Sequence, residues 1–447
     1  MNRRAFLGHT GFALAGSLVA APLSGLMNAR AQGNKLRVAL VGTGSRGTGM
    51  WGRSVVSEYG DRVEFVGLCD INPGRVKWAQ KSMEVNCPVY TDFDRMIDET
   101  KPETVIVTTP DYLHSPYAIR AMELGCDVIC EKPMTIDEHQ TRAFLDTEKR
   151  TGRNVRVTFN ARYGAPTMKF KELLLEGRIG RVMSVNFDEY LDVDHGASYF
   201  RRWHRLREKS GTLLLQKSSH HFDQLNWWLQ SDPAEVFGFG DLHFYGDENN
   251  NFNYINCRPC NYKEKCDFYW DITKSDHYMD MYVAHEEHDG YFRDGCVYRS
   301  DVNIYDSHNM VVKYANGVQL NYSMTAYSPY EGQRIAFNGT KGRMEAWLHF
   351  RQPWPKKDYE EIRITDNFGN TEVIQVTEGE GAHGGSDSLL KDHIFIPGTP
   401  DPLKQAAGTR AGAMSSLIGI AARKSMESGE PVKISDLTDI PLKKNLA

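Results

Sequence analysis

The sequence predicts an α/β fold: an N-terminal doubly wound parallel sheet over 35–158, then a C-terminal α+β domain over 159–447 with a large, mainly antiparallel sheet. Two patterns predict it. In the first part, apolar runs of strand length alternate with helix signals, as repeated strand–helix–strand units require. In the second part the strands alternate apolar and polar residues, which is typical of a sheet with one solvated face. A chain of 447 residues is long enough for two domains.

The first part carries five apolar runs that we interpret as buried parallel strands. They are Leu36–Val41, Val63–Cys69, Thr104–Thr108, Val128–Cys130 and Val155–Phe159. Helix signals separate them. Ser115 and Pro116 are the expected N-cap and first-turn proline of one helix. The capping-box pattern Thr135–Glu138 predicts the start of another, which Gly152 ends.

The second part is predicted to contain seven strands, an irregular insertion over 247–296 and a terminal helix over 406–428. The strands are Val182–Leu191, Val297–Ile304, Met310–Tyr314, Val318–Met324, Gln333–Asn338, Arg343–Leu348 and Glu361–Thr365. Asn316-Gly317 stands between two of these runs. That dipeptide is a strong hairpin signal because both residues tolerate positive φ.

A glycine-rich turn follows the first predicted strand. Gly42, Gly44 and Gly47 fit a tight turn, a close approach of the backbone to pyrophosphate and close packing of the next helix, whose free N–H groups face the phosphates. Asp70 follows the second strand, where a carboxylate accepts hydrogen bonds from ribose hydroxyls and repels a 2′-phosphate. We therefore predict a dinucleotide site for NAD. Arg46 keeps NADP as the less favoured alternative.

Two places outside this turn carry candidate chemistry. Glu131 and Lys132 end the fourth predicted strand, at the sheet edge where ligands of such folds bind. A cation there can orient a substrate hydroxyl and stabilise a developing alkoxide; the alternative is a solvated ion pair. On a predicted helix over 213–229, Lys217 and His220 share the polar face, with His221 at its boundary. Such a face suits proton transfer, and the alternative is an exposed polar surface.

Several motifs together resemble one known family. They are Gly42–Gly47, Thr109–His114, Glu131-Lys132-Pro133, Gly211–His220 with Asp223, Asn338–Gly342, and the terminal helix followed by Gly429–Val432. The chain is similar in these motifs to the glucose-fructose oxidoreductase/inositol dehydrogenase/rhizopine-catabolism (Gfo/Idh/MocA) family of NAD(P)-dependent sugar oxidoreductases. The resemblance covers essentially everything after the N-terminal 31 residues.

The resemblance implies a Rossmann domain followed by a sugar-binding domain, and it implies roles for individual residues. The implied cofactor-binding residues are Gly42, Gly44, Ser45, Arg46, Gly47, Asp70, Thr109, Pro110, His114, Glu131 and Lys132. The implied catalytic residues are Lys132, which positions substrate, and His220, the acid/base. The implied substrate-binding residues are His221, Asp223, Arg162, Tyr163 and His383. For Asp223 the alternative is a structural role, and for Arg162 and Tyr163 it is a plain interdomain linker.

The chain departs from the family at one catalytic position. The family commonly has Asp-x-Gly-x-His, whereas this chain has Gln216 where the aspartate is expected. A glutamine cannot ionise, so Lys217 or His221 is predicted to share the proton transfer.

Four of the eight cysteines fall in or beside the insertion. Cys257 and Cys260 form a Cys-x-x-Cys pair, and Cys266 and Cys296 follow. We predict a structural zinc or iron–sulfur site from this set, with disulfides as the alternative in an exported protein.

The N-terminus resembles a twin-arginine export signal over 1–31. Arg3 and Arg4 precede a mild apolar run, and Ala29-Arg30-Ala31 offers a cleavage site. An ordinary secretory signal or an anchor is the alternative. We expect an exported, periplasmic protein whose partners are the twin-arginine machinery, a small sugar or glycoside, and, by resemblance, further copies of itself. A net charge of −5 gives no reason to expect nucleic acid.

These observations predict an exported oxidoreductase that moves hydride between a sugar or glycoside hydroxyl carbon and a tightly held NAD. A first alternative is an NAD-dependent glycosidase that oxidises transiently and then eliminates the aglycone, as some members of the resembled family do. A second is a non-catalytic protein that binds NAD and sugar, which Gln216 favours.

Overall fold

The computed structural model describes residues 34–250, 252 and 254–446. The predicted export signal lies outside these residues. Six strands form the first sheet, and every neighbouring pair in it is parallel. They are β1 Leu36–Val41, β2 Val63–Cys69, β3 Val89–Tyr90, β4 Thr104–Val107, β5 Asp127–Cys130 and β6 Val155–Val157. Their order, β3-β2-β1-β4-β5-β6, reverses between β1 and β4, which confirms the predicted doubly wound sheet.

Helices cover both faces of this sheet, so its strands are buried on both sides. They are α1 Ser54–Tyr59, preceded by a π-helical turn over Gly47–Arg53, α2 Pro73–Ser82, α3 Phe93–Thr100, α4 His114–Glu123 and α5 Glu138–Thr151. Two predicted caps are wrong by a few residues. The N-cap of α4 is Leu113 rather than Ser115. The N-cap of α5 is Asp137, whose carboxylate accepts the Gln140 N–H at 2.8 Å.

The second sheet has nine strands, and all its pairs are antiparallel except β7 with β10. The strands are β7 Val182–Asp192, β8 Pro233–Asp241, β9 Ser307–Tyr314, β10 Gln319–Ser328, β11 Glu331–Gly339, β12 Gly342–Arg351, β13 Glu360–Asp366, β14 Thr371–Val376 and β15 Val432–Lys433. The large, mainly antiparallel sheet is therefore confirmed, including the hairpin at Gly317, whose φ is +89°. The strand predicted over 297–304 is wrong: Val297 and Ile304 are buried anchors of an irregular loop.

Eight further α-helices follow the first sheet in the described part of the chain. They are α6 Ala165–Leu175, α7 Val193–Arg201, α8 Arg207–Ser210, α9 Leu213–Gln216, α10 Ser219–Leu229, α11 Asp276–Met281, α12 Ser386–Phe395 and α13 Thr409–Ser428. None of the helices described is long and apolar enough to cross a membrane.

Helix α13 joins the cores of the two sheets. Ala413 belongs to the core beneath the first sheet, while Leu417 belongs to the core of the second. At Gly412 an added Cβ would lie 2.8 Å from the Met134 sulfur, so this crossing needs a glycine. Because α13 also packs on α9 and α10, it holds those helices beside the carboxyl ends of the parallel strands.

Candidate active site

The glycine-rich turn has the geometry that a dinucleotide cradle needs. At Gly42, with φ +89°, an added Cβ would lie 2.6 Å from the Thr109 nitrogen, and at Gly47 it would lie 2.2 Å from the Gly42 oxygen. Gly44 is more open, and the nearest atom to an added Cβ is 3.7 Å away. Asp70 accepts the Thr43 N–H at 2.7 Å, which fixes the turn against β2. Backbone here can approach a pyrophosphate closely, so these residues fit an NAD-type cofactor.

Glu131 braces the end of β5 rather than projecting freely. One of its oxygens accepts hydrogen bonds from Arg46 Nε at 2.8 Å and from Trp51 Nε1 at 2.7 Å. Burial raises the pKa of this carboxyl, but the Arg46 charge and the two hydrogen bonds outweigh burial and hold the pKa below its usual value. Glu131 is therefore an anion that ties the strand end to the glycine-rich turn.

Lys132 reaches across to the second domain, where its Nζ donates to the main-chain oxygen of Gln216 at 2.6 Å. The predicted continuous helix over 213–229 is wrong: it breaks at Lys217 and Ser218 into α9 and α10. In an unbroken helix the His220 N–H would bond to the Gln216 oxygen, whereas here it bonds to the Lys217 oxygen at 3.3 Å. The break thus leaves the Gln216 oxygen free to hold the Lys132 ammonium. Burial, opposed by Asp111 and Glu131, lowers the pKa of Lys132 to about 8.

His220 lies at the start of α10, where the positive charges of Lys132 and Lys217 act on its side chain. Burial first, and then those two positive charges, lower the pKa of His220 well below its usual value. Its Nδ1 is buried and has no hydrogen-bond partner among the described residues. The side chain is therefore a neutral imidazole with an uncommitted nitrogen, which is the form that accepts a proton.

Lys217 and His221 share a buried carboxylate that the sequence reasoning missed. Glu189 of β7 lies 3.3 Å from Lys217 Nζ and 3.5 Å from His221 Nε2. Burial raises the pKa of Glu189 to about 7 against the opposing charge of Lys217. His221 Nδ1 lies 2.8 Å from the Tyr322 hydroxyl, so both of its ring nitrogens face protein groups. The sequence did hold a signal for Glu189: in the alternating predicted strand, this acid falls on the face that is buried.

Three of the predicted substrate contacts lie in the protein interior. Arg162 Nε and Nη2 each donate to the Asp223 carboxylate at 2.6 Å, and these side chains are 6% and 1% exposed. Arg162 also donates to the main-chain oxygen of Gln405 at 3.3 Å. Tyr163 is buried in the core beneath the first sheet, against His393. The structure thus contradicts direct sugar contact by these residues, because their polar groups are enclosed and engaged.

The segment Thr109–His114 folds back on the end of β5. His114, predicted to contact cofactor, is buried, with Nδ1 2.7 Å from the Pro133 oxygen and Nε2 2.9 Å from the Thr109 oxygen. His114 links the segment that carries Thr109 to the segment that carries Pro133, and it is buried too deeply to contact a ligand. The prediction that His114 binds the cofactor is therefore wrong. Thr109 and Pro110 lie beside Gly42, at the edge of the first sheet where its strands end. The sequence reasoning missed Asp111, a buried carboxyl whose pKa burial raises although Lys132 opposes that shift.

His383 is brought to the same edge from the far end of the chain. Its Nδ1 lies 2.8 Å from Asp387, which also receives Asn160 Nδ2 at 2.6 Å and Arg46 Nη1 at 3.3 Å. The His383 side chain is 60% exposed, so it borders the site and remains open to a ligand.

The predicted zinc or iron–sulfur site is not supported. Cys257, Cys260, Cys266 and Cys296 do line one small, largely apolar cavity. However, no group of three or more metal-ligating side chains in the described part of the chain is placed to hold an ion, and the eight cysteines are free thiols. Burial raises the pKa of Cys266 and Cys296, which favours neutral thiols over the thiolates that metals need. The four cysteines therefore pack the base of the insertion.

A dinucleotide cradle beside a buried lysine and a neutral histidine defines the class of NAD-dependent oxidoreductases. Two family models match the chain: the oxidoreductase family NAD-binding Rossmann fold over 36–159, and its C-terminal alpha/beta domain over 171–434. The chain belongs to the Gfo/Idh/MocA oxidoreductase family.

Individual relatives span the chain to different extents. YteT of Bacillus subtilis strain 168, which is named as an oxidoreductase, is 34% identical over 429 residues, covering 90% of this chain and 98% of YteT. D-glucoside 3-dehydrogenase of Escherichia coli K12 is 31% identical over 151 residues, 33% of this chain and 41% of that enzyme. The solved WlbA dehydrogenase of Bordetella pertussis, in complex with NADH and UDP-GlcNAcA, covers 92% of this chain and 100% of its own, with a TM-score of 0.61 and 17% identity, and shows the shared fold.

Proposed function

We propose that this protein is an exported NAD-dependent oxidoreductase that oxidises a hydroxyl carbon of a sugar or glycoside. The observation that carries the proposal is the pairing of the Lys132 ammonium, held by Gln216, with the neutral imidazole of His220 beside the dinucleotide cradle. The name of the E. coli relative supports a glycoside as substrate class. The enclosed polar groups around the site suit a ligand rich in hydroxyls.

In this mechanism the chain's own residues handle the proton. Lys132 donates a hydrogen bond to the hydroxyl that will be oxidised and stabilises the oxyanion as it forms. His220 accepts the hydroxyl proton on a free ring nitrogen. Lys217, held by Glu189, adds positive charge without titrating near neutral pH, since Glu189 raises the pKa of Lys217 above its usual value. Bound NAD⁺, held by the glycine-rich turn and Asp70, supplies the hydride acceptor.

One assay separates the proposal from its two rivals. The purified protein is incubated with a panel of aryl glycosides and free sugars while NADH absorbance, keto-sugar formation and aglycone release are followed together. Reduced cofactor with a keto-sugar is the expected result. Aglycone release without net NADH would instead identify the glycosidase that works by transient oxidation and elimination. Sugar binding with neither product would identify a non-catalytic binding protein.

A pH profile tests the charge state of Lys132. With a pKa of about 8, the amine is an ammonium at neutral pH and loses its proton as the pH rises through that value. The oxidation rate at saturating substrate should therefore fall above about pH 8. His220 is already neutral near pH 7 and does not titrate there, so a change of rate near pH 7 would report Glu189 instead. Lys132→Arg, which stays charged, should not show the fall if it retains activity. A wild-type rate that rises through pH 8 would make the neutral amine the base instead.

The cellular setting belongs to the same proposal. The paired arginines, apolar run and small-residue site in the first 31 residues support export through the twin-arginine route, which carries proteins already folded. Family resemblance supports assembly with further copies of the chain. Fractionation of cells expressing wild-type and Arg3→Lys/Arg4→Lys chains would test the export route directly.

A further inference from the structure

The insertion over 247–296 reaches from the second domain onto the glycine-rich turn. The Tyr282 hydroxyl accepts the Ser45 N–H at 3.1 Å and lies 2.9 Å from the Ser45 hydroxyl. Tyr282 is 5% exposed. The Ser45 amide belongs to the turn and helix start that such folds offer to a pyrophosphate. A side chain of the insertion therefore already lies on the phosphate-binding side of the first domain.

A second set of contacts joins the insertion to the start of α2, close to Asp70. Asn72 Nδ2 donates to the His285 main-chain oxygen at 2.9 Å, and Arg75 donates to Asp289 while its other Nη lies 3.6 Å from Asp70. At Gly74 an added Cβ would lie 2.2 Å from His285 Nδ1, so any larger residue here would displace the His285 ring. The insertion thus contacts the first domain at both the pyrophosphate and the ribose positions.

The base of the insertion is firmly held, so these contacts are not those of a loose loop. The buried Asp294 accepts Asn256 Nδ2 at 3.2 Å and Arg258 Nε at 3.0 Å. Arg258 also donates to Glu286, which links the base to the segment that carries His285. This network ties the base of the insertion to the segment that contacts α2, and the described part of the insertion is called the arm below.

We propose that this insertion is a retaining wall for the dinucleotide and that Tyr282 is a positioning residue on its pyrophosphate side. The inference rests on the proposed function, because it assumes that NAD is the bound group. For NAD to leave, the arm must lift from Ser45, Asn72 and Arg75 together. NAD held in this way should leave the protein slowly.

The test measures release of NAD⁺ from the full-length chain. Wild-type, Tyr282→Phe and Gly74→Ala proteins are loaded with radiolabelled NAD⁺ and chased with excess unlabelled NAD⁺, and the label that stays on the protein is followed with time. Tyr282→Phe removes one hydroxyl, and Gly74→Ala pushes His285 away. Each should release NAD⁺ about tenfold faster than wild type.

Tyr262→Phe is the matched control, since it removes the same atom from another tyrosine of the insertion, whose ring packs on Phe252 and Tyr254. It should release NAD⁺ at the wild-type rate. Equal release rates for all four proteins, or rapid exchange by the wild type, would overturn the retaining wall. Neither result touches the proposed function, which fails separately if the NAD-loaded protein oxidises no sugar.

Discussion

Lys132→Ala and His220→Ala proteins will each oxidise the preferred sugar about 10²- to 10⁴-fold more slowly than wild type, with NAD still bound. Lys132→Ala removes the cation that Gln216 holds in place for the substrate hydroxyl. His220→Ala removes the neutral base. Neither side chain contributes to the glycine-rich cradle, so the loss should fall on kcat rather than on the amount of nucleotide that remains bound.

The measurement is steady-state oxidation together with the NAD content of each purified variant after denaturation. Lys149→Ala and His139→Ala are suitable controls, because both side chains are exposed on the outer helices of the first domain. Their rates should match wild type. If Lys132→Ala and His220→Ala also keep wild-type rates, the catalytic assignment is wrong and the site lies elsewhere.

Asp223→Ala is expected to unfold far more easily than wild type, with a free energy of unfolding lower by about 3–5 kcal/mol. The change leaves the Arg162 guanidinium buried without its carboxylate, and the pair is almost fully enclosed. Denaturant unfolding followed by circular dichroism measures this loss. Arg162→Ala should cause a similar loss, because it leaves Asp223 buried and unpaired.

The double variant Arg162→Met/Asp223→Leu provides the sharper comparison. Replacing both charges with apolar side chains of similar size removes the unpaired group, so stability should recover toward the wild-type value. If Arg162 instead served the substrate, Arg162→Ala would raise KM and leave the unfolding midpoint unchanged. That outcome would restore the role that the sequence predicted.

Much of the fold could be predicted because local and long-range signals agreed. The runs 36–41 and 63–69 became β1 and β2 with the predicted bounds, since continuous apolar strands suit a sheet covered on both faces. The apolar run over 297–304 was wrongly predicted to be a strand, because Val297 and Ile304 are buried without strand pairing. Burial alone gives the same apolar pattern in an anchored loop and in a short strand.

The parts of the candidate site that form continuous sequence motifs could be predicted. The residues that only folding brings into the site were harder to predict. Lys132 and His220 were found from their motifs, and the Lys132 charge acts on His220 in the folded protein. Glu189 and Asp111 were missed as site residues: the strand pattern places Glu189 inward, but only the folded chain shows that Glu189 faces Lys217 and that Asp111 lies near Lys132. Arg162 and His114 were assigned to ligand contact from the family resemblance, whereas their polar atoms are engaged with protein groups in the folded chain.

The interruption between α9 and α10 makes the anchor of Lys132 independent of the side chain at residue 216. Every amino acid has a peptide oxygen, so the ammonium of Lys132 keeps its anchor without an acid at that position. The missing aspartate therefore does not by itself remove the cation from the site.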